Sequence, residues 1–159
     1  MGSWLEGGAS GEGSGRGARL GLPGEGPGSL ARLGRRVGAL VVDWALSLMI
    51  AATFFPSAQA GSFLERADGL VTLAVFAAEN VLLVGTIGFT VGHRLFGVRV
   101  RAAGIGGDGE PVDDDGRGPG FLRGLVRTVL LCLVIPAVVW DADGRGLHDR
   151  AAGSAIVRR

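Results

Sequence analysis

The sequence predicts an all-α integral membrane protein: a two-helix transmembrane hairpin, a third re-entrant or interfacial helical segment, and a small β-pairing on the cytoplasmic side. Three observations carry that prediction. Residues 37–55 form a run of 19 with one charge, Asp43, which at about 1.5 Å per residue spans a hydrocarbon core of roughly 30 Å. A second run, residues 70–91 (LVTLAVFAAENVLLVGTIGFTV), is as long and holds Glu79 and Asn80 near its middle. The apolar residues of this 159-residue chain are gathered into three blocks, with mean hydropathy +0.38, instead of following the periodic pattern of a soluble domain.

Composition excludes several classes. The formal charge is +1, so there is no net bias toward nucleic acid. All 16 basic residues are Arg, which a GC-rich genome explains better than a selected phosphate-binding surface. One Cys and two His neither form an intramolecular disulfide nor complete a zinc site unaided, and no cofactor is expected.

Residues 1–34 are rich in Gly and Ser with scattered charge. Such a composition buries too little apolar surface to offset chain entropy, and reads as a disordered cytoplasmic tail. A signal peptide is the weaker alternative: Ala58, Gln59 and Ala60 resemble a cleavage site, but the lead is too long and Asp43 interrupts the apolar run.

In the first span, Arg36 and Asp43 are seven residues apart and so share a helix face, with Asp43 about 10 Å deeper. A carboxyl group at that depth is expected to face protein or water and to find a partner, with Arg36, Arg123 and Arg127 as candidates. Residues 56–69 form a short polar loop. In the second span Gly85 and Gly88 suit close helix packing, and the Thr86 and Thr90 hydroxyls are expected to bond across the interface. Arg32, Arg35 and Arg36 precede the hairpin and Arg94, Arg99 and Arg101 follow it, whereas only Arg66 lies between the spans. Both ends are therefore expected to be cytoplasmic.

Residues 98–101 alternate Val and Arg, a strand period, and residues 154–158 are expected to pair with residues 97–101. Residues 104–120 read as a flexible loop whose Asp113, Asp114 and Asp115 lack the spacing of a calcium loop. The third apolar block, residues 121–140, is the hardest to place. Arg123 and Arg127 share a face of its first half, its uncharged part is only 13 residues, and Pro136 interrupts it. A broken helix that enters and returns, or lies in the interface, fits better than a third crossing.

Three segments, RRVGALVVD (35–43), TVGHRLFGVRV (90–100) and RGLHDRAAGSAIV (145–157), resemble the RDD family of small bacterial membrane proteins, named for one arginine and two aspartates. The composition and the DGRGLHDR stretch look most like actinobacterial members. The resemblance implies that the family arginine is Arg36, with Arg35 the alternative, and that the aspartates are Asp43 and Asp149. His93 stands where the family usually has Lys, and Ser154 where Thr is usual. The family is described as of unknown function, with cation/proton exchange proposed for some members.

Two function classes follow. In the first, the protein is a subunit of a transporter or cation/proton antiporter in the bacterial cell membrane, with Arg36, Asp43, Glu79, Asn80 and Arg127 as the intramembrane candidates. Two spans cannot enclose a pathway alone, so this reading requires a homo-oligomer. In the second, the protein is a membrane scaffold or accessory protein that recruits cytoplasmic partners. Its buried acids are then structural, and its basic ends hold anionic lipid headgroups. The cytoplasmic signature residues are His93, Arg94, Arg145, His148 and Asp149. An enzyme is the least expected class, because no Ser or Cys nucleophile is placed to complete a triad with His148 and Asp149.

Overall fold

The computed structural model describes residues 17, 20–58, 62–103, 116–133 and 145–159. The N-terminal stretch up to residue 16, the Gln59–Ala60 part of the cleavage-like motif, the acidic loop at 113–115 and the second half of the third apolar block lie outside the described residues.

Helix α1 (Leu33–Phe54) and helix α2 (Gly69–Ile87) form an antiparallel pair joined through a 3₁₀ turn at Leu64–Arg66. Each buries a narrow stripe at four-residue spacing: Ala39, Asp43, Ser47 and Ala51 on α1, and Thr72, Phe76, Asn80 and Val84 on α2. These stripes are mostly small or polar. The large apolar side chains point outward instead, as in Val41 at 61%, Leu70 at 78% and Leu82 at 57% exposed. Only 28% of each apolar stretch is buried, and both helices are long and apolar enough to cross a membrane. A soluble core helix shows the opposite arrangement, and an exposed apolar belt of this kind is a feature of membrane proteins.

The helix ends follow from local chemistry. Asp68 caps α2, its carboxylate accepting from the backbone N–H of Leu70 and Val71. Gly88 ends the helix in the left-handed conformation at φ 81°. The second apolar run therefore stops being helix at residue 87, four residues before its hydropathy does. Helix α1 begins before its own apolar run, at Leu33, and Arg35 anchors that first turn by donating to the Phe96 carbonyl at 2.6 Å.

After Gly88 comes a short helix α3 (Val91–Leu95), then β1 (Val98–Ala102), α4 (Phe121–Cys132), α5 (Leu147–Ala151) and β2 (Ser154–Arg158). Strands β1 and β2 pair antiparallel, with Val100 opposite Ile156 and Ala102 opposite Ser154. The pairing sits one residue later on β1 than the Val/Arg alternation suggested, because Gly97 turns the chain at φ 61°. The fold is thus mostly helical with one small two-stranded sheet, as expected of residues 97–101 and 154–158 apart from the one-residue shift.

Residues 20–32 are packed, which shortens the tail expected over residues 1–34. Leu30 bridges to Val157, while Ala31 N–H donates to the Ile156 carbonyl and Arg158 N–H to the Ser29 carbonyl, both at 2.9 Å. Leu20, Leu22 and Leu30 cover one face of the sheet at Ala155 and Val157. The other face puts Val98, Val100 and Ile156 against Ala31 and Val84 at the end of α2. Composition argued for disorder here because three leucines spread among glycines are a weak signal. Together they cover an otherwise open strand.

Helix α4 crosses α2 at two glycines. A Cβ on Gly124 would stand 3.0 Å from Gly85 Cα, and one on Gly85 would stand 3.1 Å from Phe121 Cα. The expected role of Gly85 in close packing is seen here, whereas Thr86 bonds back to the Leu82 carbonyl of its own helix instead of across an interface. Because Phe121 meets Gly85 near the end of α2, helix α4 starts at the Arg-rich end of the hairpin and presents Leu122, Leu125 and Val129 outward. Gly124→Val is expected to lower the unfolding temperature by the equivalent of about 1–3 kcal/mol of overpacking. Gly34→Ala, inside α1 with nothing within 4 Å of the added Cβ, is expected to hold it or raise it slightly, by the equivalent of at most about 1 kcal/mol; thermal melts of both variants in detergent check this.

Candidate functional site

The site lies at the Arg-rich end of the hairpin, where α1, α3, α4 and α5 converge. Asp43 is 2% exposed. Its Oδ2 accepts from the Thr90 hydroxyl at 2.5 Å and its Oδ1 from the Gly92 backbone N–H at 2.7 Å. The expected guanidinium partner is therefore replaced by a hydroxyl and a backbone amide. Only glycine permits this approach at residue 92, since a Cβ there would run into the Ala39 carbonyl and the Asp43 carboxylate.

Thr90 is the N-cap of α3. Its Oγ1 accepts from His93 N–H at 3.2 Å, and the His93 ring returns the contact through Nδ1, which accepts from Thr90 N–H at 3.2 Å. Accepting there places the ring proton on Nε2. Burial, with the positive charges of Arg127 and Arg36 added and Asp149 opposing, pushes the His93 imidazole down to about 3. The ring is neutral at neutral pH, so the position does not supply the fixed charge of the Lys usual in the resembled family.

A second buried centre adjoins the first. Arg127 on α4, 2% exposed, donates from Nε to Asp149 Oδ1 on α5 at 2.7 Å, and Asp149 is fully buried. His148 Nε2 stands 3.5 Å from the same oxygen, and Ser154 Oγ also lies 3.5 Å from it. Burial favours a protonated Asp149, but the charges of Arg127, His148 and Arg36 and the Arg127 hydrogen bond outweigh it and hold the carboxyl below its usual range. The pair joins the third apolar block to α5, which leads into β2.

Between these centres is a cavity of about 90 Å³ whose polar lining is Arg36, Asp43, Asn80, His93, Arg127 and His148. It gathers most of the residues singled out in the sequence from positions up to 112 apart. Asn80, 2% exposed, donates to the Phe76 carbonyl of its own helix. Glu79 lies deeper and accepts across the hairpin from Ser47 Oγ at 3.4 Å, while the same hydroxyl reaches the Asp43 carbonyl at 2.9 Å. Arg94 and Arg145 do not line the cavity; Arg94 lies 5.6 Å over the Phe89 ring. Ser47 and Gly92 were missed from the sequence. Ser47 sits four residues after Asp43 on the same face, a signal that was available, whereas nothing local marks Gly92 as the contact of an acid 49 residues away.

Among the described residues no group of three or more His, Cys, Asp or Glu side chains is arranged to hold a metal ion. A helical hairpin with an apolar exterior and buried Asp and Arg–Asp centres at its basic end has the features of a membrane protein. The chain belongs to the RDD family, whose model matches residues 30–153. No curated protein and no solved structure matches it.

The shifted His93 sets a pH dependence. Its folded pKa of about 3 lies below the unfolded value of 6.5, so between those limits the unfolded chain binds a proton that the fold excludes. Stability therefore rises with pH across that window and falls on acidification. Unfolding of His93→Gln between pH 5 and 7, followed beside the unmodified protein, is expected to show a flatter slope. The depressed Asp149 acts the same way only below its ordinary 3.8, outside that range.

Proposed function

We propose that this is a multi-pass bacterial membrane protein with both hairpin ends cytoplasmic, working as the subunit of an oligomeric transporter that exchanges a proton or small cation through the polar stripe of α1 and α2. The observation that carries the reading is the polar stripe of the hairpin, in which the buried Asp43 and Ser47 stand four residues apart on α1 and the Ser47 hydroxyl reaches the Glu79 carboxylate of α2. It runs along the buried face of two helices that are otherwise apolar enough for lipid. Ionisable groups within a span are costly and mark proton or ion pathways.

Proton counting at the entrance supports it. Thr90 Oγ1 is 2.5 Å from Asp43 Oδ2 and 2.7 Å from His93 Nδ1, two hydrogen-bonding distances with one hydroxyl proton between them. His93 Nδ1 already accepts the Thr90 N–H, so the place for a second, exchangeable proton is the Asp43 carboxyl. Arg32, Arg35 and Arg36 before the hairpin and Arg94, Arg99 and Arg101 after it support the orientation.

A second reading has its own support. Both Asp43 oxygens already bind α3, which is what a purely structural clamp in a scaffold protein requires. Asp43→Asn separates the two, because the amide keeps an acceptor for Gly92 N–H. Proton, sodium and potassium fluxes are measured in proteoliposomes with insertion verified. The transport reading expects flux in the unmodified protein, its loss in Asp43→Asn, and a reduction of at least tenfold in Glu79→Gln. No flux in well-inserted, unmodified protein for any tested ion removes that reading and leaves the clamp.

A further inference from the structure

The polar cavity beside Asp43 has donors to spare. Both Asp43 oxygens are used by Thr90 and Gly92, and the His93 ring turns its accepting nitrogen to the Thr90 backbone, so Nε2–H is the donor that remains. Arg127 spends Nε on Asp149, yet its Nη1, in a side chain only 2% exposed, has no hydrogen-bond partner among the described residues. Arg36 adds its guanidinium to the wall, and the buried acceptor left over beside Arg127 among the described residues is Asp149 Oδ2, the second oxygen of its own ion-pair partner. A buried guanidinium nitrogen left unsatisfied is costly, which implies an acceptor in the space it faces. At about 90 Å³ the cavity exceeds the 10–15 Å³ or so that one water needs.

A second observation indicates what the acceptor is attached to. Leu40 and Leu131 line this cavity and also an apolar groove of about 730 Å³. The groove follows α1 through Trp44, Ala45 and Leu48 and is closed by Phe76 of α2. A donor-rich chamber that shares walls with a chain-wide apolar groove matches a molecule with an anionic head and a hydrocarbon tail. Against the two acids at the site, Asp43 and Asp149, the segments that converge there carry Arg32, Arg35, Arg123 and Arg150 besides Arg36 and Arg127, an excess of positive charge.

We propose that the cavity and groove together form a binding site for an anionic phospholipid, its phosphate held by Arg127, Arg36 and the His93 Nε2–H, and one acyl chain lying in the groove against Trp44. The site rests on the membrane location given above but not on transport, so a failure of either reading leaves the other standing.

Trp44 supplies the measurement. Three Trp are present, and Trp4→Phe with Trp140→Phe leaves Trp44 as the sole reporter. The full-length protein is placed in phosphatidylcholine vesicles containing a small fraction of either bromine-labelled phosphatidylglycerol or bromine-labelled phosphatidylcholine. The expected result is several-fold stronger Trp44 quenching by the anionic lipid. That preference is lost when Arg127→Gln and Asp149→Asn are combined, a change that removes both members of the pair and leaves no buried charge alone. Ala45→Phe, which fills the groove and leaves the cavity residues in place, is expected to weaken quenching too, and decides the matter if the double variant does not fold. Equal quenching by the two lipids, or a preference that survives both variants, overturns the site. Stabilisation of detergent-solubilised protein by inorganic phosphate over gluconate at constant ionic strength, without any lipid preference, assigns the cavity to a soluble anion and also overturns it.

Discussion

The attachment of Asp43 to Thr90 and Gly92 is the contact on which the rest of the arrangement depends. It joins the middle of α1 to the turn that follows α2, and so sets where the hairpin ends and where the sheet begins. A hydrogen bond contributes about 0.5–1.5 kcal/mol when it replaces solvent, and here two converge on one side chain that is 2% exposed. The geometry tolerates no side chain at Gly92. Three residues from two distant stretches are therefore specified by one interaction.

The same contact explains why small and polar residues occupy the helix interfaces. On the membrane reading proposed above, lipid leaves little hydrophobic gain from bringing helices together, and close backbone approach and interhelical hydrogen bonds supply the association. Ala39, Ser47 and Ala51 on α1 and Gly85 against Gly124 allow the approach. Asp43, Thr90, Ser47 and Glu79 supply the hydrogen bonds. The Arg127–Asp149 pair plays the corresponding part for α4 and α5. A buried ion pair of this kind adds little net stability but strongly disfavours any arrangement that separates its members. It accounts for how a C-terminal segment is held against the helices by two side chains.

His93 and Arg127 also show that chemistry at this end is collective. The neutral imidazole owes its state to burial and to two arginines from other elements, and Asp149 owes its charge to Arg127, His148 and Arg36 acting against burial. Of the groups that set these two states only His148, beside Asp149, is a chain neighbour; the others come from distant elements.

What the sequence determined by itself were the quantities that depend on local order: two apolar runs of spanning length, the Val/Arg alternation of β1, the isolated acid at residue 43, and the three segments that identify the family. These are legible because period and hydropathy are properties of consecutive residues. The helix limits were read less well, since Gly88 and Arg35 set them through backbone conformation and a distant carbonyl rather than through hydropathy. Only the tertiary structure decided that Asp43 binds Thr90 and Gly92 instead of an arginine, that Arg127 is given to Asp149, and that residues 20–32 cover the strand β2. Each of these is a choice among several partners that one pattern permits equally. Which one is taken depends on where the backbone can approach within hydrogen-bonding distance, and that is settled by packing across 22 residues for Arg127 and 49 for Gly92.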